Sequence, residues 1–317
     1  MRLNEDRYPH LAVLEAFEDS LRAAFAAVGG ALVRPRADLL HVLEPEGDTF
    51  ISAVSVPAAA QAGAEPKPIC MMTVTALLKN RPRLTDGQVN ACNRYAGLSF
   101  LSRASGPQEV MSANSFTVYD DPVQRSQMLY LALQTAVLQR TWQSQVLTAL
   151  EDDFRQPVGV LDPQSAAMSS NWTDEELASM FRSAIDGELN ARQPDAHGVL
   201  IHLSKSKVRG QGSFVIVRND LPHPFYGNGL SVTLVLPEEK GVSQEEFASR
   251  ALAWNRREAL SVMPTPCVGA WSSMLGRPQM QLQCFVPNVV YAAGVGQLVL
   301  DSAIQRWAVS GETDVPL

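Results

Sequence analysis

Lys205, Lys207 and Arg209 alternate along a stretch with strand character, and a period of two sets all three cations on one face. Such a row could contact an anion or a nucleic-acid phosphate. Its plain counterpart is an edge strand kept from stray pairing by charge. The five histidines are His10, His41, His197, His202 and His223, and none stands at the i,i+4 spacing of a helical ligand pair, so no metal is expected. The four cysteines, Cys70, Cys92, Cys267 and Cys284, form no CxxC pair and are expected reduced and buried. Asp120-Asp121 and Asp152-Asp153 stand at predicted helix ends, where the first pair complements a helix dipole. Gly294-Val295-Gly296 precedes a helix as a dinucleotide fingerprint would. Val299 occupies the third glycine place, however, and blocks close helix–strand packing, so a helix-start turn is expected and no cofactor. No P-loop, HExxH or GxSxG run occurs, so no catalytic residue is assigned. Trp254-Asn255-Arg256 lies near the end of a predicted helix, with Trp254 read as core and Asn255 as helping to end the helix. Asn93 repeats Asn255 in the first half, with Cys92 in place of the Trp.

These residues need elements to hold them. Leu14, Phe17, Leu21, Phe25 and Val28 recur at helical steps, and Gly29-Gly30 ends that face. Strands are predicted at 31–44, 49–56 and 69–78, with an Ala- and Pro-rich loop at 57–68. A short helix follows Thr85, then strands near 98–104 and 109–119. Asp121-Pro122 suits the N-cap and first turn of a long helix reaching about Phe154. In the second half, Leu177, Met180, Phe181 and Ile185 stripe a helix. A hairpin is predicted around Gly210-Gln211-Gly212, a loop at 221–229, a strand at 230–236 and a helix from Ser243 to about Arg257. Strands near 259–264 or 268–273 and at 279–286 precede a last helix over 289–309. Thr85 to Gln88, Thr173 to Glu176 and Ser243 to Glu246 all have capping-box spacing.

The two halves echo each other. Thr73 to Leu78 resembles Ser231 to Leu236 at an offset of 158, and Asn93 to Ser99 resembles Asn255 to Ser261 at 162. Gln139-Arg140-Thr141-Trp142 echoes Gln305-Arg306-Trp307. The expected organisation is therefore one α-β-β-β-α-β-β-α domain used twice, over 1–156 and 172–317 with a linker at 157–171.

Composition narrows the function classes. Hydrophobic residues make up 46% of the 317 and charged residues 19%, a folded chain with ample core material. The net charge is −7, shared evenly as 14 basic and 17 acidic residues up to 156, then 12 and 16. Neither half is a basic module, which disfavours direct nucleic-acid binding and suits a partner with a basic surface, such as a nucleic-acid-binding protein. No apolar run is long enough for a membrane span, and Glu5-Asp6 stand where a signal peptide would be basic then apolar, so a cytoplasmic location is expected.

The element order and the Trp254-Asn255-Arg256 stretch after a strand and capped helix resemble the YbjN family, whose members resemble type III secretion chaperones in fold. The resemblance covers about 10–156 and 172–310, with Cys92 and the longer Ala-rich loop as departures in the first half. It implies an α+β protein of two tandem domains, each an antiparallel sheet with helices on one face. It also implies a non-catalytic adaptor or chaperone-like regulator that holds a protein segment in apolar grooves or at sheet edges. An intrachain pseudo-dimer, with homodimerisation as a further option, follows from the duplication. The alternatives are direct nucleic-acid binding through Lys205, Lys207 and Arg209, and an enzyme whose site is assembled from distant residues.

Overall fold

A computed structural model describes residues 8–26, 30–43, 47–56, 66–78, 84–103, 110–151, 170–203, 212–239, 241–259 and 266–310. The predicted cationic row at Lys205, Lys207 and Arg209 lies outside these residues, as do most of the Ala-rich loop and most of the linker.

The first half runs α1 (Pro9–Ala26), β1 (Ala31–Arg36), β2 (Leu39–Leu43), β3 (Gly47–Ser55), β4 (Pro68–Leu78), α2 (Asp86–Asn93), β5 (Phe100–Arg103), β6 (Val110–Tyr119) and α3 (Pro122–Glu151). The second runs α4 (Asp174–Asp186), β7 (Asn190–Asp195), β8 (Gly198–Leu203), β9 (Ser213–Arg218), β10 (Gly229–Val235), α5 (Gln244–Ala259), β11 (Ala270–Ser273), β12 (Met280–Pro287) and α6 (Val295–Ser310). The chain is thus α+β, with two six-stranded sheets. Their orders, β1-β2-β3-β4-β6-β5 and β7-β8-β9-β10-β12-β11, are the same order written twice. The strand pairs are antiparallel.

Register agrees with the echo in sequence. Thr73 faces Ser52 and Thr75 faces Phe50, while Ser231 faces Arg218 and Thr233 faces Ile216, so the offset of 158 joins residues with the same place in each sheet.

Four expectations need correction. Each half has four strands before its central helix, not three. The stretch predicted as one strand at 31–44 folds back at Ala37-Asp38, because two polar or small residues suffice for the turn. Asn190–Asp195 was not expected to be a strand; it is a polar edge strand whose side chains are mostly exposed, so no alternation marks it. Asn255 does not end its helix, which continues to Ala259. The last helix starts at Val295, after a single 3-10 turn at Asn288–Val290 and a Gly294 with φ of 84°.

The helix starts follow local chemistry. Thr85 accepts from Gln88 N at 3.2 Å while Gln88 Oε1 accepts from Thr85 N at 2.8 Å, a complete capping box. Thr173 and Glu176 repeat it at 3.2 and 2.9 Å. Ser243 accepts from Glu246 N at 3.1 Å, but the Glu246 carboxylate pairs with Arg250 at 2.6 Å, so only half of that box forms. Asp121 accepts from Gln124 N at 2.8 Å and opens α3.

The described residues form two compact units. One comprises the described residues within 1–84, 101–143 and 255–267; the other comprises those within 85–100, 144–254 and 268–317. In the first, Leu14, Phe17, Leu21 and Phe25 of α1 are buried, and α1 packs on β1, β3 and β4. The inward rows of that sheet, such as Leu40–Ile51–Val74, are fully buried. In the second, α4 packs on β7 and β8, and α6 on β9, β10 and β12. Val199–Val217–Val232 and Ile201–Val215–Leu234 form its inward rows. Each unit draws on both halves of the chain, and α2 of the first half packs on β11 in the second unit.

Candidate partner-binding site

Among the described strand residues, the exposed large apolar side chains lie on the outward face of the first sheet. Paired residues share a face, so Val33, His41, Phe50 and Thr75 form one row, and Leu43, Asp48 and Leu77 the next. Val54 and Met71 continue it. Val33, Leu43 and Val54 are 41%, 41% and 43% exposed, and Phe50, Met71 and Leu77 are half-buried. His41 stacks on Phe50 with centroids 4.4 Å apart and reaches Asp48 at 3.2 Å. Towards β6 the same face is covered at Ser115, where Glu258 lies against it. Ser115 Oγ donates to Glu258 O at 3.2 Å; Cys267 N donates to the Ser115 backbone O at 2.8 Å, and Asn114, which stands in the inward row beside Val74, donates Nδ2 to Cys267 O at 2.8 Å.

The corresponding face of the second sheet is more polar. Arg192, Leu200, Ile216, Thr233 and Gln283 form one row, with Thr233 donating to Gln283 at 2.7 Å. His202 and Phe214 follow in the next. Towards β12 this face is also closed. Phe285 N donates to Gly97 O at 3.2 Å and Gly269 N to Leu98 O at 2.8 Å. At the sheet edge, Asn90 Nδ2 donates to Ser273 Oγ at 2.8 Å and Asn90 Oδ1 accepts from Ser273 N at 2.9 Å. Arg94 adds Nε to Ser273 O at 2.9 Å. The edge strand β11 is thereby covered by a helix.

A tight turn holds the 95–98 segment down. His223 N donates to Gly227 O at 2.8 Å and Gly227 N returns to His223 O at 3.0 Å, with Gly227 at φ 71°. The turn presents His223, Phe225 and Tyr226 to Tyr95, Gly97 and Phe285. Tyr95 and Phe225 meet edge-on at 6.1 Å, and His223 lies 4.8 Å from the Phe285 ring. A Cβ on Gly97 would come within 2.6 Å of Tyr226, so the close approach requires glycine. His223 Nδ1 accepts from Phe225 N at 3.1 Å, and Nε2 donates to Tyr95 O at 3.1 Å, since a carbonyl can only accept. Burial pushes its pKa down to about 4, against the opposing pull of the Tyr95 carbonyl.

The residues singled out in the sequence are not brought together. Trp254 is half-buried and meets Trp271 edge-on at 4.7 Å; the Arg306 guanidinium lies 5.7 Å from the Trp271 ring and donates to Val268 O. Asn93 and Asn255 are fully buried, whereas Arg256 is exposed. His197 faces Asp174 at 3.0 Å and His202 faces Arg192 at 3.2 Å, both at the surface. Among the described residues no cluster of three or more His, Cys, Asp or Glu could hold a metal. The four cysteines form no disulfide and are buried, and burial pushes Cys70 and Cys284 up to about 12 and Cys92 further up. Gly296 serves packing: a Cβ there would come within 2.5 Å of Met180, 2.9 Å of Trp172 and 3.0 Å of Leu230. No helix among the described residues is long and apolar enough to cross a membrane.

Sequence reasoning missed the outward rows and the clamp at His223. Pro224 and Gly227 mark a turn in the sequence, but nothing local says which segment it grips. Compared with known proteins, the chain matches no family model, no curated protein and no solved structure.

Proposed function

We propose that the protein is a non-catalytic, cytoplasmic adaptor or chaperone-like regulator that holds a segment of another protein on the outward face of its first sheet. The observation that carries this reading is the run of Val33, Leu43 and Val54 beside Phe50, Met71 and Leu77, apolar side chains on a sheet face that solvent reaches. A protein segment would cover that face with apolar side chains. The exposed edge strand β1 offers main-chain groups beside it. The net charge of −7 favours a partner with a basic surface, of the kind a nucleic-acid-binding protein has.

The resemblance to the YbjN family and type III secretion chaperones belongs to this proposal. The repeated α+β organisation supports it, while the additional hairpin strand at the start of each half departs from the expected element order. Four buried cysteines that form no disulfide suit a reducing compartment.

The test is recovery of a partner from native lysate, followed by binary titration with purified components. Phe50→Ala combined with Val54→Asp should weaken that binding at least tenfold while the far-ultraviolet spectrum and thermal midpoint stay close to those of the parent. Equal binding by parent and variant rejects the face. Absence of any specific partner in repeated recoveries rejects the adaptor reading.

A further inference from the structure

The exchange of segments between the two halves runs in both directions. Thr73 lies opposite Ser115 and Ser231 lies opposite Phe285, so Ser115 and Phe285 are counterparts in the two sheets. Each binds the loop that follows the central helix of the other half. Ser115 O accepts from Cys267 N, and Phe285 N donates to Gly97 O. Side chains reinforce both places: Asn114 holds the Cys267 carbonyl in the first unit, while Asn90 and Arg94 hold Ser273 in the second. Equivalent strands gripping equivalent loops, each from the opposite half, is the arrangement left when two copies exchange a segment and are then joined in one chain.

We propose that the chain is a fused, segment-exchanged pair, in which each half is completed by the post-helix loop of the other. The places beside β6 and β12 are therefore an interface built for a second copy of the same half, and the covalent partner occupies them. Joining the copies fixes a one-to-one pairing and raises the effective concentration of each loop for its site.

The full-length protein tests this. A protease site placed within residues 157–169 is cut under native conditions, and the product is run by gel filtration with mass detection. One species with the mass of the whole chain is expected; two separately folded fragments would overturn the proposal. In the same protein, Asn90→Cys with Ser273→Cys is oxidised or bridged by a short bis-maleimide before cutting. The two fragments should remain joined in denaturant, as one cross-linked monomer. Fragments that separate, or a link that joins two whole chains, would overturn it. Asn90→Ala removes the reciprocal pair of bonds to Ser273 and should weaken association of the cut fragments about tenfold. An unaltered association would show that the second-unit contact does not hold the halves together. If this variant does not fold, the cross-link still decides.

Discussion

Burial holds the His223 imidazole neutral, with Nδ1 accepting from Phe225 N and the Nε2 proton on Tyr95 O. Charging it would place a second N–H against the Phe225 amide. The folded-state pKa of about 4 lies below the roughly 6.5 of an unfolded histidine, so the unfolded chain takes up the proton first. The contribution of His223 to stability is complete above about pH 6.5 and is lost as pH falls towards 4, by about 3 kcal/mol across that window. Urea unfolding at several pH values should show this loss. His223→Gln, which cannot charge, should be about 1–3 kcal/mol less stable at neutral pH but flatter between pH 6.5 and 4. An unchanged slope in the variant would remove His223 as its source. Burial disfavours the thiolates of Cys70, Cys92 and Cys284 and keeps the Cys267 side chain from solvent, so a thiol reagent should leave all four nearly unlabelled in the native protein and label all four in denaturant.

Elements were legible where their signals are local. Thr85 and Thr173 announce their helices because a capping box closes within four residues, and Asp121-Pro122 does the same for α3. Strands without a local signal were missed. Asn190–Asp195 is mostly polar and exposed, and the fold at Ala37-Asp38 reverses the chain without a glycine to mark it. Val289 to Ala293 reads as helix by composition, yet the left-handed Gly294 starts α6 later. Gly296 was singled out for a nucleotide motif, and its neighbours show a packing role instead. Gly296→Ala should drive a methyl group into Met180, Trp172 and Leu230 and cost about 1–3 kcal/mol, read as a lowered denaturation midpoint. Stability equal to that of the parent would mean that these side chains yield without strain.

At the scale of the whole molecule, the repeat was readable from short matches such as Thr73 to Leu78 with Ser231 to Leu236, because inward and outward positions recur in the same register. The candidate face was not readable, since it is defined by which strand rows stay uncovered. Binding of a basic partner should weaken several-fold between about 50 and 300 mM salt, as ions screen the long-range attraction, with most of the change in the association rate. A salt-independent affinity would exclude a basic partner surface. The bond between Asn90 and Ser273 joins residues 183 apart in the chain, which gives synthesis a clock. At about 5–20 residues per second, α2 waits roughly 10–40 s for β11 to be made. During that interval the first half cannot place its own post-helix segment, and the strand that this segment will cover has not been translated. The nascent chain therefore carries an uncovered helix face through most of its synthesis, and a ribosome stalled before Ala270 should leave Tyr95 to Leu98 open to protease in a way that the finished protein does not.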